Sequence, residues 1–339
     1  MMNRDKFSAK VMLFGEYSIL LGSSALSIPL TTFNASFRKF PEMDHDITNQ
    51  YSGSNKVLHS LCDHYLAESG IFSEFLDLDH FMGDIKTGLF LDSTIPQRYG
   101  VGSSGALCAA IYNRYAFDPV NPDEAVSSQN MLRLRNLFSH MESFFHGKSS
   151  GFDPLVIYLQ HPLMISQDNR PEIITFQTDF LHVNGGIFLL DTGSSAGTAP
   201  LVRVFFDQYA PEGEMNNAGK ELCRLTNSCI LDLIENNAGN FWENLEALSV
   251  FQLNGLSGMI PEPMVKVWTE ILKEGSVYLK LCGSGGGGYL TGFTPDLKRS
   301  VNYLKRNNFR IIPVNINNKN SKYHDKNMDQ SVKSDPPYI

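Results

Sequence analysis

Apolar positions along the chain fall into short runs with two different periods, separated by polar, turn-rich stretches. Residues 11–14 form a short apolar run after Lys10 that stops at Gly15, and residues 25–30 form a second that closes near Pro29; both predict strands. Residues 41–56 are polar and turn-rich and predict a surface loop. Residues 57–66 carry Val57, Leu58, Leu61 and Tyr65 at helical spacing. Residues 86–95 predict a strand, followed by Pro96, a glycine loop to Gly102 and an apolar helix over 103–115. The clearest helix spans 127–146, where Leu134, Leu137, Phe138, Met141, Phe144 and Phe145 make one stripe. Gly147 stands where a helix-terminating glycine belongs.

A second half begins near residue 180. Residues 186–190 predict a buried strand, 221–236 and 241–253 predict helices, and 277–281 predicts a strand. A glycine run follows, then a strand at 288–293 and a helix at 297–306. From Asn315 the chain is polar and almost without aliphatic residues, too poor in apolar surface to offset chain entropy, and predicts a disordered tail. Strands and helices mix without regular βα alternation, which favours an α+β fold.

Composition narrows the function classes. With 339 residues the chain exceeds the roughly 250–300 at which one core stops growing, so two domains are expected. Apolar residues make up 42% and charged residues 19%, which excludes a disordered or fibrous protein. A net charge of −8 argues against nucleic acid as partner, although a metal ion would still let the chain take an anionic nucleotide. No uncharged apolar run reaches about 18 residues, so no membrane partner is expected, and the N-terminal stretch does not read as a signal peptide. Cys62, Cys108, Cys223, Cys229 and Cys282 form no CxxC pair, which points to reduced thiols and a cytoplasmic location.

Three stretches could carry chemistry. In Ile95-Pro-Gln-Arg-Tyr-Gly-Val-Gly-Ser-Ser-Gly-Ala106 a strand runs through glycines into a helix, an arrangement that turns backbone N–H groups and a helix N-terminus toward an anion. The bland alternative is a tight turn with Ser103 as N-cap, and no Lys follows to complete a Walker loop. In Glu142-Ser-Phe-Phe-His-Gly-Lys-Ser-Ser-Gly-Phe-Asp153-Pro154, Glu142 borders the apolar stripe, and Asp153-Pro154 has the form of an N-cap and first-turn pair. The two carboxylates could converge as metal ligand and base, or serve as a rim charge and a cap. His140 and His146, six residues apart, lie roughly 240° around a helix and do not suit one zinc ion. The run from Lys280 to Gly288 contains G-x-G-x-x-G but leads into a strand, which excludes a dinucleotide fingerprint. Its glycines imply a close approach to a ligand or another loop. Gly193-Ser-Ser-Ala-Gly197 matches a nucleophile elbow, yet only His324, in the tail, follows it.

Together with Lys10-Val-Met-Leu-Phe-Gly-Glu-Tyr17, these stretches occur in an order and spacing that resembles the GHMP kinases, and within them the mevalonate kinases, over roughly residues 7–312. His146-Gly-Lys-Ser-Ser-Gly-Phe-Asp153 is similar to the HGxPSGxD signature of mevalonate kinases, and Thr198 matches a threonine of their second-domain substrate loop. Tyr17 stands in place of the usual His, Arg98 in place of a loop glycine and Ser149 in place of the proline. Gly-Glu-Tyr and Ser-Gly-Phe-Asp also resemble phosphomevalonate kinases.

The resemblance implies an α+β chain of two domains, with residues 1–178 resembling ribosomal protein S5 and 179–314 ferredoxin-like, followed by the tail 315–339. It implies ATP and Mg2+ as cofactors and phosphorylation of the primary alcohol of mevalonate. The alternatives are phosphomevalonate kinase, another GHMP kinase or decarboxylase, and a non-catalytic nucleotide-binding module. By the resemblance, Gly100, Val101, Gly102, Ser103 and Ser104 wrap the ATP phosphates, and Ser104 and Glu142 hold Mg2+. Asp153 is the base, and Lys10 orients it. Glu16, Tyr17, His146, Thr198, Gly283, Ser284 and Gly285 shape the substrate side of the cleft. The implied partner is a small molecule, with a homodimer as one assembly.

Overall fold

The computed structural model describes residues 5–40, 45–124, 126–175, 179–182, 184–194 and 199–316; the predicted tail lies almost wholly outside these. The first half runs β1 (Phe7–Phe14), β2 (Ala25–Lys39), α1 (His45–Ala67), α2 (Ser69–Phe72), α3 (Leu78–Lys86), β3 (Leu89–Ser93), α4 (Ser103–Tyr115), α5 (Ser128–His146), α6 (Phe152–Leu159), β4 (Leu163–Ile165) and β5 (Pro171–Ile173). The second half runs α7 (Asp179–His182), β6 (Gly186–Asp191), α8 (Ala199–Tyr209), α9 (Asn217–Ile234), α10 (Ala238–Gly255), α11 (Glu262–Glu274), β7 (Tyr278–Leu281), β8 (Tyr289–Thr294), α12 (Leu297–Arg306) and β9 (Ile311–Val314). No helix among the described residues is long and apolar enough to cross a membrane.

Each half builds one antiparallel sheet. In the first, β2 is the hub, pairing β1, β3 and β4, with β5 beyond β4. In the second, the strands lie in the order β7-β8-β6-β9. Numbered by appearance that order is 2-3-1-4, and with helices between the first and second strands and between the third and fourth it is the ferredoxin-like plan.

Three departures from the sequence reading have physical causes. The strand expected to end near Pro29 continues to Lys39, because the interruption is a register shift. Ala9 pairs Leu30 while Ser8 pairs Asn34, so Thr31 and Thr32 bulge into solvent before the strand resumes against β3. The polar stretch read as a loop is helical from His45, with residues 41–44 outside the described set. Its anchors are polar: Asn55 Nδ2 donates to Leu89 O at 2.6 Å and Leu91 N donates to Ser54 Oγ at 2.9 Å, and an apolar period cannot reveal such contacts. Lys86, expected in a strand, ends α3.

The halves meet across a buried seam. Phe14 of β1 stacks on Phe293 of β8 with centroids 5.4 Å apart and meets Phe241 of α10 edge-on at 6.2 Å. Beside them Lys280 Nζ lies 2.5 Å from Glu16 Oε1, with side chains 0% and 2% exposed. Within the first half, Asp84 ties α3 to α4 and β2. Its Oδ2 accepts from Arg114 at 2.7 Å and from the Tyr115 hydroxyl at 2.9 Å, and its Oδ1 lies 2.8 Å from Lys39 Nζ. Burial opposes the charge, but the bonds from Lys39, Arg114 and Tyr115 outweigh it and hold the carboxyl down at about 2.

A carboxyl depressed in the fold stabilises it above its unfolded pKa, and that contribution fades as pH falls through the folded value. Asp84→Asn is therefore expected to cost about 2 kcal/mol at pH 7, with the gap narrowing below about pH 4 and closing only as pH falls through about 2. Urea melts of both proteins across that range check it, and a gap that persists at low pH would place the cost in packing instead.

Candidate active site

The site forms where two helix N-termini meet β1. α4 opens on Gly102 with φ 84°, so Gly102 takes the N-cap position that sequence reading offered to Ser103, and no side chain caps the helix. α6 opens on Gly151 with φ 67°, again without a side-chain cap, which puts Asp153 in the first turn instead of at the cap. A left-handed residue is needed at both starts, and Gly meets it without the Cβ conflict. Gly105 brings the two helices together: a Cβ there would lie 2.9 Å from Pro154 N.

Freed from capping, the Asp153 carboxylate reaches Lys10 of β1, with Oδ2 2.9 Å from Nζ. Lys10 is 3% exposed and Asp153 31%, so the carboxylate is the part of the pair that solvent reaches. Burial alone would lower the Lys10 ammonium, but the Asp153 charge and hydrogen bond reverse the shift and leave it above its ordinary value. Glu142 of α5 is buried nearby. Its Oε1 accepts from Ser104 Oγ at 2.8 Å and its Oε2 accepts from Ser149 Oγ. Burial first, then the Asp153 charge, pushes this carboxyl up to about 7. A hydroxyl and a buried carboxylate carrying unbalanced negative charge are hard oxygen donors that fit Mg2+.

Gly100, Val101, Gly102, Ser103 and Ser104 lie beside this group, and Val101 O accepts from Lys10 N at 3.1 Å. Their glycines serve the protein itself. A Cβ on Gly100 (φ 76°) would sit 2.8 Å from Cys282 O, and one on Gly102 would meet Ile157 Cδ1 at 2.9 Å and Lys10 Cγ at 3.0 Å. The second glycine run answers in kind. A Cβ on Gly283 would lie 3.0 Å from Gly100 Cα, one on Gly285 would run into Met259 O, and one on Gly288 would lie 2.7 Å from Tyr99 Cα. Of the two partners expected for that run, a ligand or another loop, the structure supplies the loop.

Glu16, Tyr17 and Ser284 form a neighbouring group. Glu16 is buried against Lys280, and burial holds its carboxyl above the ordinary value despite that ammonium. Tyr17, at φ 62° and ψ −46°, donates its hydroxyl to Ser284 O at 2.5 Å and lays its ring 4.8 Å from Phe205 of α8. The side chain of His146 and all of Thr198 lie outside the described residues. Sequence reading gave no role to Arg135, Ser139 and Ser149, which fasten the turn between α5 and α6. The signal available was the polar face of α5 at 135, 139 and 142.

No protein-family model and no curated protein matches the chain. Solved structures do. The Methanococcus jannaschii mevalonate kinase superposes with TM-score 0.59 at 18% identity, covering 91% of this chain and 96% of that one. The Streptococcus pneumoniae phosphomevalonate kinase in complex with phosphomevalonate and AMPPNP gives 0.56 at 18% identity over 91% and 99%. The Lactococcus lactis galactokinase complexed with galactose gives 0.57 at 13% over 91% and 92%. These neighbours are GHMP kinases, and the chain has their fold.

Two stability measurements check the site. Asp153→Asn leaves the Lys10 ammonium buried without a countercharge and is expected to cost about 2–3 kcal/mol, while the Lys10→Met, Asp153→Asn double variant recovers most of it. Equal losses in both would show that the pair is not coupled. Gly102→Val is expected to cost roughly 2–4 kcal/mol through contact with Ile157 and Lys10 plus left-handed strain. Gly275→Ala, left-handed at φ 63° with nothing within 4 Å, should cost only about 1 kcal/mol. Similar costs at the two positions would remove the packing argument.

Proposed function

We propose that the protein is an ATP-dependent small-molecule kinase that phosphorylates the primary alcohol of mevalonate to give 5-phosphomevalonate. The observation that carries this reading is the Asp153 carboxylate, the accessible member of an otherwise buried charged cluster, 2.9 Å from Lys10 at the start of two helices that open on left-handed glycines. Phosphoryl transfer asks a protein mainly for in-line positioning and for neutralisation of charge. The turn at 100–104 and the α4 N-terminus would take the ATP phosphates on backbone N–H groups. Asp153 accepts the proton of the acceptor alcohol. A carboxylate is a weak base for an alcohol, so the proton transfer accompanies bond formation from the alcohol oxygen to the γ-phosphorus as the bond to the β–γ bridging oxygen breaks and ADP leaves. Lys10 keeps Asp153 in place and offsets the negative charge that develops beside it. Glu142 and Ser104 would hold Mg2+, which when bound neutralises phosphate charge. Residues 1–178 and 179–314 then act as a nucleotide-side and an acceptor-side domain.

The charge inventory favours mevalonate over its phosphate. A dianionic phosphate calls for several Lys or Arg groups or a helix N-terminus. Of the cations in the four motif stretches, Lys10 is paired with Asp153 and Lys280 with Glu16. Arg98 and Lys148, both exposed, are the two left to serve a phosphorylated acceptor.

ATP consumption measured in parallel with mevalonate, 5-phosphomevalonate and galactose tests the reading. The highest kcat/KM is expected with mevalonate, and Asp153→Asn should lose about 100-fold or more in kcat. No turnover with any acceptor would overturn it. Preference for the 5-phosphate that disappears in an Arg98→Ala, Lys148→Ala variant would reassign the acceptor.

A further inference from the structure

The turn from Gly147 to Gly151 is fastened to one face of α5 by residues at i, i+4 and i+7. Arg135 Nε donates to Ser150 O at 2.9 Å, Ser139 Oγ donates to Ser149 O at 2.6 Å, and Glu142 Oε2 accepts from Ser149 Oγ. Gly151 packs so close that a Cβ would lie 2.1 Å from Arg135 O. The turn therefore cannot slide along the helix without breaking all three bonds.

Within it Ser149 is oriented from both sides. Its hydroxyl accepts from Gly151 N at 3.1 Å and spends its one proton on Glu142. The other carboxylate oxygen, Oε1, receives the Ser104 hydroxyl at 2.8 Å. The two donors differ in position. Ser104 belongs to the first turn of α4, beside the glycine loop, whereas Ser149 belongs to the clamped turn on the opposite oxygen.

We propose that Ser149 is a positioning residue that pins Glu142 Oε2 to the α5–α6 turn and so presents Oε1, together with Ser104 Oγ, as a one-oxygen ligand for the divalent cation. This rests on the metal site proposed above. A carboxylate left free at Oε2 could rotate about its terminal torsion, which has a broad and soft preference, and would have to be ordered each time the cation binds. Ser149 supplies that order in advance. The position is also where the chain departs from the HGxPSGxD pattern, since a proline carries no hydroxyl to make this bond.

The test is Mn2+ binding followed by electron paramagnetic resonance in the presence of a non-hydrolysable ATP analogue, on wild type, Ser149→Ala, Ser149→Thr and Ser150→Ala. Ser149→Ala is expected to weaken Mn2+ by about tenfold. Ser149→Thr, which keeps the hydroxyl, and Ser150→Ala, which alters the neighbouring residue, should stay within about twofold of wild type by the same comparison. In turnover, Ser149→Ala should raise the Mg2+ requirement while KM for ATP at saturating Mg2+ stays unchanged. Wild-type Mn2+ affinity in Ser149→Ala overturns the role, and so does an equal loss in Ser150→Ala, which would make the effect a general loosening of the turn. If wild type itself binds no Mn2+, the metal site fails and this role fails with it; if wild type binds and Ser149→Ala binds equally well, only this role fails.

Discussion

The ion pair between Lys280 and Glu16 is the interaction on which the two sheets depend for their relation. Two opposite charges 2.5 Å apart with almost no exposure forfeit their hydration, and the loss is tolerable only where further hydrogen bonds share the load. Lys280 has them: its ammonium also donates to Leu281 O at 2.6 Å and reaches Met12 O at 3.5 Å. Met12 lies on β1 two residues from Lys10, so the strand that receives Lys280 is the strand that carries the Asp153 partner. Removing one partner while the halves stay packed would leave the other as a bare buried charge, a cost of about 3–5 kcal/mol. The aromatic stack of Phe14 on Phe293 adds area beside this pair, but it does not fix direction as the pair does.

With both lysines neutralised inside the protein, positive potential at the site comes chiefly from backbone. α4 and α6 each begin at a left-handed glycine that has no side chain to cap the helix, although at α6 the Phe152 N–H is taken by Ser150 Oγ at 3.2 Å. The dipole and free donors of a helix start attract anions without the mobility of a long cationic side chain. Glu142 supplies the opposing demand, a buried carboxylate that a cation would relieve. An overall charge of −8 is therefore no obstacle to binding a nucleotide here.

Elements with one apolar period were legible in the sequence. α4 and α12 match their expected bounds, and α5 matches within a residue; α4 is apolar and buried almost throughout, and α5 keeps one apolar stripe. Elements held by polar contacts were not. The middle of α1 is held by Asn55 and Ser54 reaching the β3 backbone, and β2 was cut short by a bulge that looks like a chain break. At the site, residue types gave the participants but not their partners. Asp153 before proline has the form of a cap, and only the left-handed Gly151 shows that the cap lies elsewhere and the carboxylate is available to Lys10. Ser149 looked like a simple departure from a pattern, and its hydroxyl acquires meaning only once the turn is seen folded back on α5.

The interlocked glycines bear on how such a site can diversify. Gly100 rests on Cys282 and Gly283, and Gly288 rests on Tyr99, so each loop is the other's mould. A side chain introduced on either one displaces backbone in the other, and a compensating change would have to arise in a segment some 180 positions away in the chain. Variation beside this joint is thus easier at an exposed side chain such as Arg98. The two loops are constrained as one unit although they belong to different halves of the chain.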